Sequence, residues 1–233
     1  MNISTVFPDY SFAKITSSFQ ELLETPFAEG VNAVCWRREL HGDFAEVVAA
    51  IGDGDGITRL DEERLRGLEL SEDGKAAVEV MLGDLRLLRE AGFEPELNCI
   101  HAYPRDEEGG MVATDVFSFH ADRAPVESET WLCTYYGPSS EGLRNEEARK
   151  KVELPETRAE LLREFGGEEG AEFEEYLTEM CYDLHYAPMP EAVPYAFGLY
   201  HLWRIAVDWP GSAVPPCIHR APVTETARLL LIS

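Results

Sequence analysis

The hydrophobic pattern of this chain changes period at about residue 96, and that switch limits the architectures open to it. Before it, apolar residues recur at helical intervals. The clearest stretch is 71–91, where Ala77, Val80, Met81, Leu85, Leu87 and Leu88 are spaced for one buried helix face. Gly92 stands where such a helix would stop. Shorter helical pieces are expected at 17–24, at 65–70 and at 43–51, where Asp43 is a cap candidate. After residue 96, the segments 97–103, 114–120 and 130–136 are rich in aromatic and β-branched residues, with Pro, Gly and Asp in the breaks between them. Residues 195–207 and 227–232 share that strand-like composition. Between these groups, 145–184 is charged and helical in pattern, its Glu-Glu and Arg-Lys-Lys runs reading as solvated helix face.

These segments make a single domain over 1–233 of α+β class. A mainly helical support over 1–95 packs on a β core over 96–233, which is interrupted by a helical insert at about 145–184, between the fourth and fifth strands or close to there. A chain of 233 residues can bury one sizeable core, and a hydrophobic fraction of 45% argues against disorder over most of its length.

Lys+Arg 20 against Asp+Glu 44 gives a formal charge of -24. So acidic a surface repels phosphate backbones and anionic membranes, so neither nucleic acid nor a membrane is an expected partner. Solubility explains the charge more simply than a basic partner does. The five cysteines, Cys35, Cys99, Cys133, Cys181 and Cys217, are odd in number and form no C-x-x-C pair. That disfavours a disulfide framework or a Cys-based zinc site and fits a reducing cytoplasm. Met1-Asn2-Ile3-Ser4 carries no export-signal pattern, and no apolar run reaches the length of a membrane span. A cytoplasmic location is expected, and the oligomeric state is left open.

The chemistry concentrates in Ser118-Phe119-His120-Ala121-Asp122-Arg123. Residues two apart in a strand project from one face, so His120 and Asp122 can aim at a common point. An imidazole and a carboxylate cover one edge of an octahedron. A second imidazole from another strand completes one triangular face and leaves three positions open, as Fe(II) oxygenases require. His219, in Cys217-Ile218-His219-Arg220-Ala221-Pro222, is the natural third ligand. His41-Gly42-Asp43 has the same spacing but precedes a helix, and reads as a loop and cap. His101, His185 and His201 read as satisfied or exposed histidines.

Arg228 follows His219 by nine positions, and a His-x-Asp pair, a distal His and a later Arg together resemble the Fe(II)/2-oxoglutarate-dependent oxygenase superfamily. More narrowly, Phe119-His120-Ala121-Asp122, Cys133-Thr134-Tyr135-Tyr136-Gly137-Pro138 and His219-Arg220-Ala221-Pro222 before Arg228-Leu229-Leu230-Leu231 resemble the DUF1826 family of uncharacterised bacterial proteins. The resemblance spans roughly residues 97–233. It implies a double-stranded β-helix, a cupin-like jelly roll, with Fe(II) at its mouth on His120, Asp122 and His219. It also implies that 2-oxoglutarate chelates the metal and sets its far carboxylate on Arg228, whose planar fork suits bidentate pairing. Tyr103, Thr134 and Tyr135 are candidates for a further cosubstrate contact. Related halogenases replace the carboxylate of the pair with Gly or Ala. The retained Asp122 therefore implies hydroxylation, or another hydrogen abstraction, on a small-molecule or amino-acid-like substrate, with O2 consumed and succinate and CO2 released.

Trp131, Arg123, Arg204 and Arg220 are candidates for a substrate mouth, with Trp203 and Tyr200 beside them. Arg220, next to a ligand, also reads as turned away or bracing the rim. Two other classes compete. One is a cupin-like metal protein working without 2-oxoglutarate, as an isomerase or dioxygenase. The other is a non-catalytic acidic interaction protein on a degenerate jelly roll.

Overall fold

Side-chain caps start the helices of the N-terminal third. The computed structural model describes residues 9–105 and 110–233; Met1-Asn2-Ile3-Ser4 and part of the 105–111 loop lie outside the described residues. Ser18 accepts from the backbone N–H of Glu21 to open α1 (Phe19–Glu24), and Asp43 accepts from Glu46 to open α2 (Phe44–Ile51). Asp61 does the same for α3 (Glu62–Arg66) and Ser71 for α4 (Glu72–Glu90). Each cap satisfies a backbone donor that the helix cannot pair internally. His41-Gly42-Asp43 is therefore a loop ending in a helix cap, as its context suggested. Helix α4 buries Ala77, Val78, Met81, Leu82, Leu85 and Leu88; Val80 and Leu87, expected on that face, sit partly buried at its edges. Gly92, at φ +94°, takes the left-handed turn that ends the helix.

The N-terminal third is not only helical. Three strands, β1 (Ala13–Thr16), β2 (Ala33–Trp36) and β3 (Ile57–Leu60), extend a sheet made by the later chain. Their absence from the sequence reading has a physical cause. Each is four residues long, and β2 buries Ala33, Val34 and Cys35 in succession, so no two-residue alternation is displayed.

The later strands are β4 (Glu96–Ile100), β5 (Phe119–His120), β6 (Glu129–Tyr136), β7 (Glu141–Leu143), β8 (Ala148–Lys150), β9 (His185–Pro188), β10 (Tyr195–Ala196), β11 (Leu202–Ala206), β12 (Ile218–Arg220) and β13 (Arg228–Ile232). They build two sheets. The larger runs β1-β2-β11-β6-β13-β4-β3, antiparallel except for the β1–β2 pair, and the smaller runs β10-β7-β12-β5-β9-β8, antiparallel throughout. Strands β4, β6, β11 and β13 go to the larger sheet, and β5, β7, β10 and β12, interleaved with them in sequence, go to the smaller.

Three expected strands are shorter than their composition suggested, and β4 stops at Ile100 instead of reaching residue 103. Of residues 114–120 only Phe119 and His120 pair, because Asp115 accepts from the N–H groups of Phe117 and Ser118 and curls the chain before them. Residues 195–207 split into β10 and β11 around Gly198 and Tyr200, both at positive φ (78° and 74°). The insert, expected to be helical, holds α5 (Pro155–Phe165) and α6 (Ala171–Glu179). Strands β8 and β9 flank them and widen the smaller sheet. Leu161, Phe173 and Leu177 pack with Val112, Val152 and Tyr182 into a small core of their own.

Alternation along the strands sorts side chains into layers. Trp131, Cys133, Tyr135, Leu229 and Leu231 leave the larger sheet on its outer face, where Leu22, Phe44, Val47, Met81, Leu85 and Leu88 of the helices cover them. Leu132, Leu230, Ile100 and Trp203 leave it on the inner face and meet Tyr195, Phe197 and Cys217. Burying each large apolar side chain contributes about 1.5–3 kcal/mol, which fixes the sheet parity firmly. All five cysteines are free, and no helix among the described residues is long and apolar enough to cross a membrane.

Candidate metal centre

His120 and His219 stand directly opposite each other across the antiparallel β5–β12 pair. Their neighbours Phe119 and Ile218 go to the outer apolar cluster of the smaller sheet, so strand alternation turns both imidazoles inward. The two rings lie 4.6 Å apart between centroids. Asp122 follows β5, where its carbonyl accepts from the Asp208 N–H at 2.7 Å and pins the backbone. Its Oδ1 lies 3.8 Å from His120 Nε2, and its Oδ2 lies 3.8 Å from His219 Nε2. Ligand atoms of the three residues fall within 4.8 Å of one another.

Hydrogen bonds fix how these groups present themselves. His120 Nδ1 lies 2.8 Å from the Ser118 carbonyl, and His219 Nδ1 lies 3.3 Å from the Cys217 carbonyl. A carbonyl can only accept, so each Nδ1 carries the proton and each Nε2 keeps its lone pair toward Asp122. Burial, aided by the neighbouring His219, pushes the His120 imidazole down to about 4, so it is neutral near pH 7. Burial works to raise the Asp122 carboxyl, but His219, the Thr130 hydroxyl and His120 together hold it below the usual carboxylate range. Thr130 donates to Asp122 Oδ2 at 2.6 Å and leaves Oδ1 free of that bond. Two imidazoles and one carboxylate on one side of a point are a donor set that suits Fe(II).

Arg228, on the first residue of β13, is 1% exposed. Its Nε donates to the Pro138 carbonyl at 2.8 Å, and its Nη atoms reach the hydroxyls of Tyr103 at 2.8 Å and Ser140 at 3.0 Å, with Thr134 at 3.5 Å. Among the described residues no carboxylate pairs with it. Burial pushes the guanidinium below its ordinary range. A cavity of about 280 Å³ opens beside it, lined in part by Ile100, Tyr103, Arg105, Phe117, Thr226 and Arg228.

Tyr103 and Thr134 thus gather around Arg228. Tyr135 does not. Its hydroxyl donates to Asp84 Oδ2 at 2.6 Å on the helix side of the larger sheet, where Asp84 also pairs with Arg38. Trp131 is on that same outer face, between Phe19 and Phe93, and Arg204 beside it holds the carbonyls of Leu22 and Leu23 and the Glu129 carboxylate. These three face away from the histidines because they share the outward parity of β6 and β11. Tyr200 packs on Phe44 on the helix side, and Trp203 is buried between the sheets.

Arg123 lies beside the centre but is held by Asp183 at 2.6 Å and Asp208 at 2.8 Å. Arg220 turns outward onto Phe119 and pairs with Glu141 at 2.6 Å, which fits the turned-away alternative and not a place in the substrate mouth. Thr130 and Ser140 were not singled out from the sequence. Lone hydroxyl residues at strand ends carry no spacing signal. Comparisons with known protein families, curated proteins and solved structures find no match to this chain.

Proposed function

We propose that this chain is a non-haem Fe(II)- and 2-oxoglutarate-dependent oxygenase that hydroxylates a small-molecule or amino-acid-like substrate. The observation that carries the reading is Arg228, a guanidinium buried between hydroxyls with no carboxylate partner among the described residues. An uncompensated buried cation is strongly unfavourable, so the arrangement makes sense if an anion completes it. The far carboxylate of 2-oxoglutarate would accept from Arg228, with the hydroxyls of Tyr103, Thr134 and Ser140 as its neighbours.

The strand order supports the same reading. Four sequence-interleaved strands in each sheet, in the orders β11-β6-β13-β4 and β10-β7-β12-β5, are what a double-stranded β-helix would have, with β1, β2, β3, β8 and β9 as additions at the edges. On that reading His120 and Asp122 end the second core strand, His219 lies on the seventh and Arg228 opens the eighth.

His120, Asp122 and His219 would hold the iron, their Nε2 and Oδ1 atoms serving as ligands. Bound together, Fe(II) and 2-oxoglutarate supply the oxidising power, coupling O2 reduction to loss of CO2, formation of succinate and removal of a substrate hydrogen. The protein's own share is positional. The carbonyls of Ser118 and Cys217 orient the imidazoles, Thr130 orients the carboxylate, and Phe197, whose ring lies 6.5 Å from that of His219, helps keep water from the inner side. Slow release of labelled CO2 from 2-oxoglutarate in air, without any substrate, is the test. It should be abolished in Asp122→Ala, and release that survives that change would contradict the assignment.

A further inference from the structure

We infer that the substrate side of this centre lies along β9 and the start of the insert, where Lys151 and His185 bind a carboxylate of the substrate. The inference rests on the oxygenase reading above. His185 is the register partner of His120 across β5 and β9, so the rings of His219, His120 and His185 form a row over three adjacent strands. Centroid spacings along the row are 4.6 Å and 5.8 Å. His185 stands outside the ligand cluster, which among the described residues comprises His120, Asp122 and His219. Yet it is 4% exposed, and its Nδ1 has no hydrogen-bond partner. A buried imidazole nitrogen left unpaired is costly, and a ligand that pairs with it removes that penalty.

Lys151 supplies the charge. Its Nζ donates to Ser118 Oγ at 2.8 Å, and the carbonyl of the same Ser118 accepts from His120 Nδ1 at 2.8 Å. One residue, Ser118, thus links the ammonium to a metal ligand, and Lys151 follows directly on the Lys150–Tyr186 pair of β8 and β9, beside His185. It is partly buried and forms no ion pair among the described residues. Val152, next in the chain, is anchored in the core of the insert, which holds Lys151 in place.

One ammonium and one imidazole N–H offer two donors, which match the two oxygens of a carboxylate. Asp115 acts on both groups, and Asp183, itself paired with Arg123, acts on His185. Their negative charge opposes a dianion such as a phosphate monoester and favours a monoanion. The substrate class so defined is a small carboxylic acid, amino acids included.

The test uses full-length protein loaded without oxygen with Fe(II) and saturating 2-oxoglutarate, so that Arg228 is already occupied. Calorimetric titration with amino acids, their primary amides and small phosphate monoesters reads binding directly. At least one carboxylate should bind, its amide at least about tenfold more weakly. Lys151→Met and, independently, His185→Gln should each weaken that binding about tenfold or more, while Lys151→Arg stays within a few-fold of wild type. The visible band of the iron–cosubstrate complex should be the same in every variant, which certifies that each is folded. The inference is overturned if no carboxylate binds, if the amide or a phosphate monoester binds as well, or if Lys151→Met binds like wild type. A wild type without the visible band would instead sink the oxygenase reading, and the titration would then be decided on metal-free protein.

Discussion

Thr130 and Asp122 are joined across the two sheets by a 2.6 Å hydrogen bond, hydroxyl to Oδ2. Thr130 lies on β6 of the larger sheet and Asp122 just beyond β5 of the smaller, so this bond sets the carboxylate by the packing of one sheet on the other. Partners of this kind typically change metal affinity by about 10–100-fold when removed. Thr130→Val should weaken Fe(II) binding by that order while leaving the circular dichroism spectrum unchanged. An iron titration with unaltered affinity would show that the carboxylate is oriented by other means.

Arg228→Met should separate cosubstrate from metal. The loss of a bidentate, charge-assisted pair amounts to about 3 kcal/mol, or roughly a hundredfold in 2-oxoglutarate affinity, with Fe(II) affinity retained. The unliganded variant should melt no lower than wild type by more than a few degrees, since an unpaired buried cation contributes little to stability. 2-Oxoglutarate should then raise the melting temperature of wild type alone.

Tyr135 and Asp84 make the opposite case, a buried network with no part in cosubstrate binding. Tyr135→Phe removes one hydrogen bond to Asp84, costs about 1 kcal/mol and leaves 2-oxoglutarate affinity unchanged. Asp84→Ala strands the buried Arg38 guanidinium and should cost about 3–5 kcal/mol in chemical denaturation. A fall in 2-oxoglutarate affinity for Tyr135→Phe would return that residue to the site.

The metal-free protein should lose stability on mild acidification. Burial lowers both His120 and His185 to about 4, below the value near 6.5 of an unfolded histidine. Between those values the unfolded chain takes up protons that the folded protein refuses. Stability is therefore full above about pH 6.5 and falls as pH drops toward 4, by on the order of 1 kcal/mol per pH unit for each imidazole. Denaturation midpoints of the metal-free protein at several pH values check this, and His185→Gln should flatten the slope.

How far the site could be read from sequence depends on which physical signal each residue carries. That His120, Asp122 and His219 could aim at one point was legible because residue type and strand spacing constrain them locally, and the cap at Asp43 was legible from its place just before an apolar helical run. Tyr135, Trp131 and Arg204 were misread because β6 and β11 are buried on both faces, so runs such as Trp131-Leu132-Cys133-Thr134-Tyr135 give no inside or outside until helices cover one of them. Arg123 looked available because its partners Asp183 and Asp208 lie 60 and 85 positions away. His185 was set aside as an ordinary histidine. Only the β5–β9 register places it beside His120.

The most direct measurement of the central claim is the visible spectrum of the protein under strict exclusion of oxygen, first with Fe(II) and then with 2-oxoglutarate added. Chelation of iron by the cosubstrate should give a charge-transfer band in wild type, absent in His120→Ala and His219→Ala and demanding far more 2-oxoglutarate in Arg228→Met. Iron bound with no band would contradict the account in favour of a metal protein that does not use 2-oxoglutarate, and failure to bind iron at all would contradict it outright.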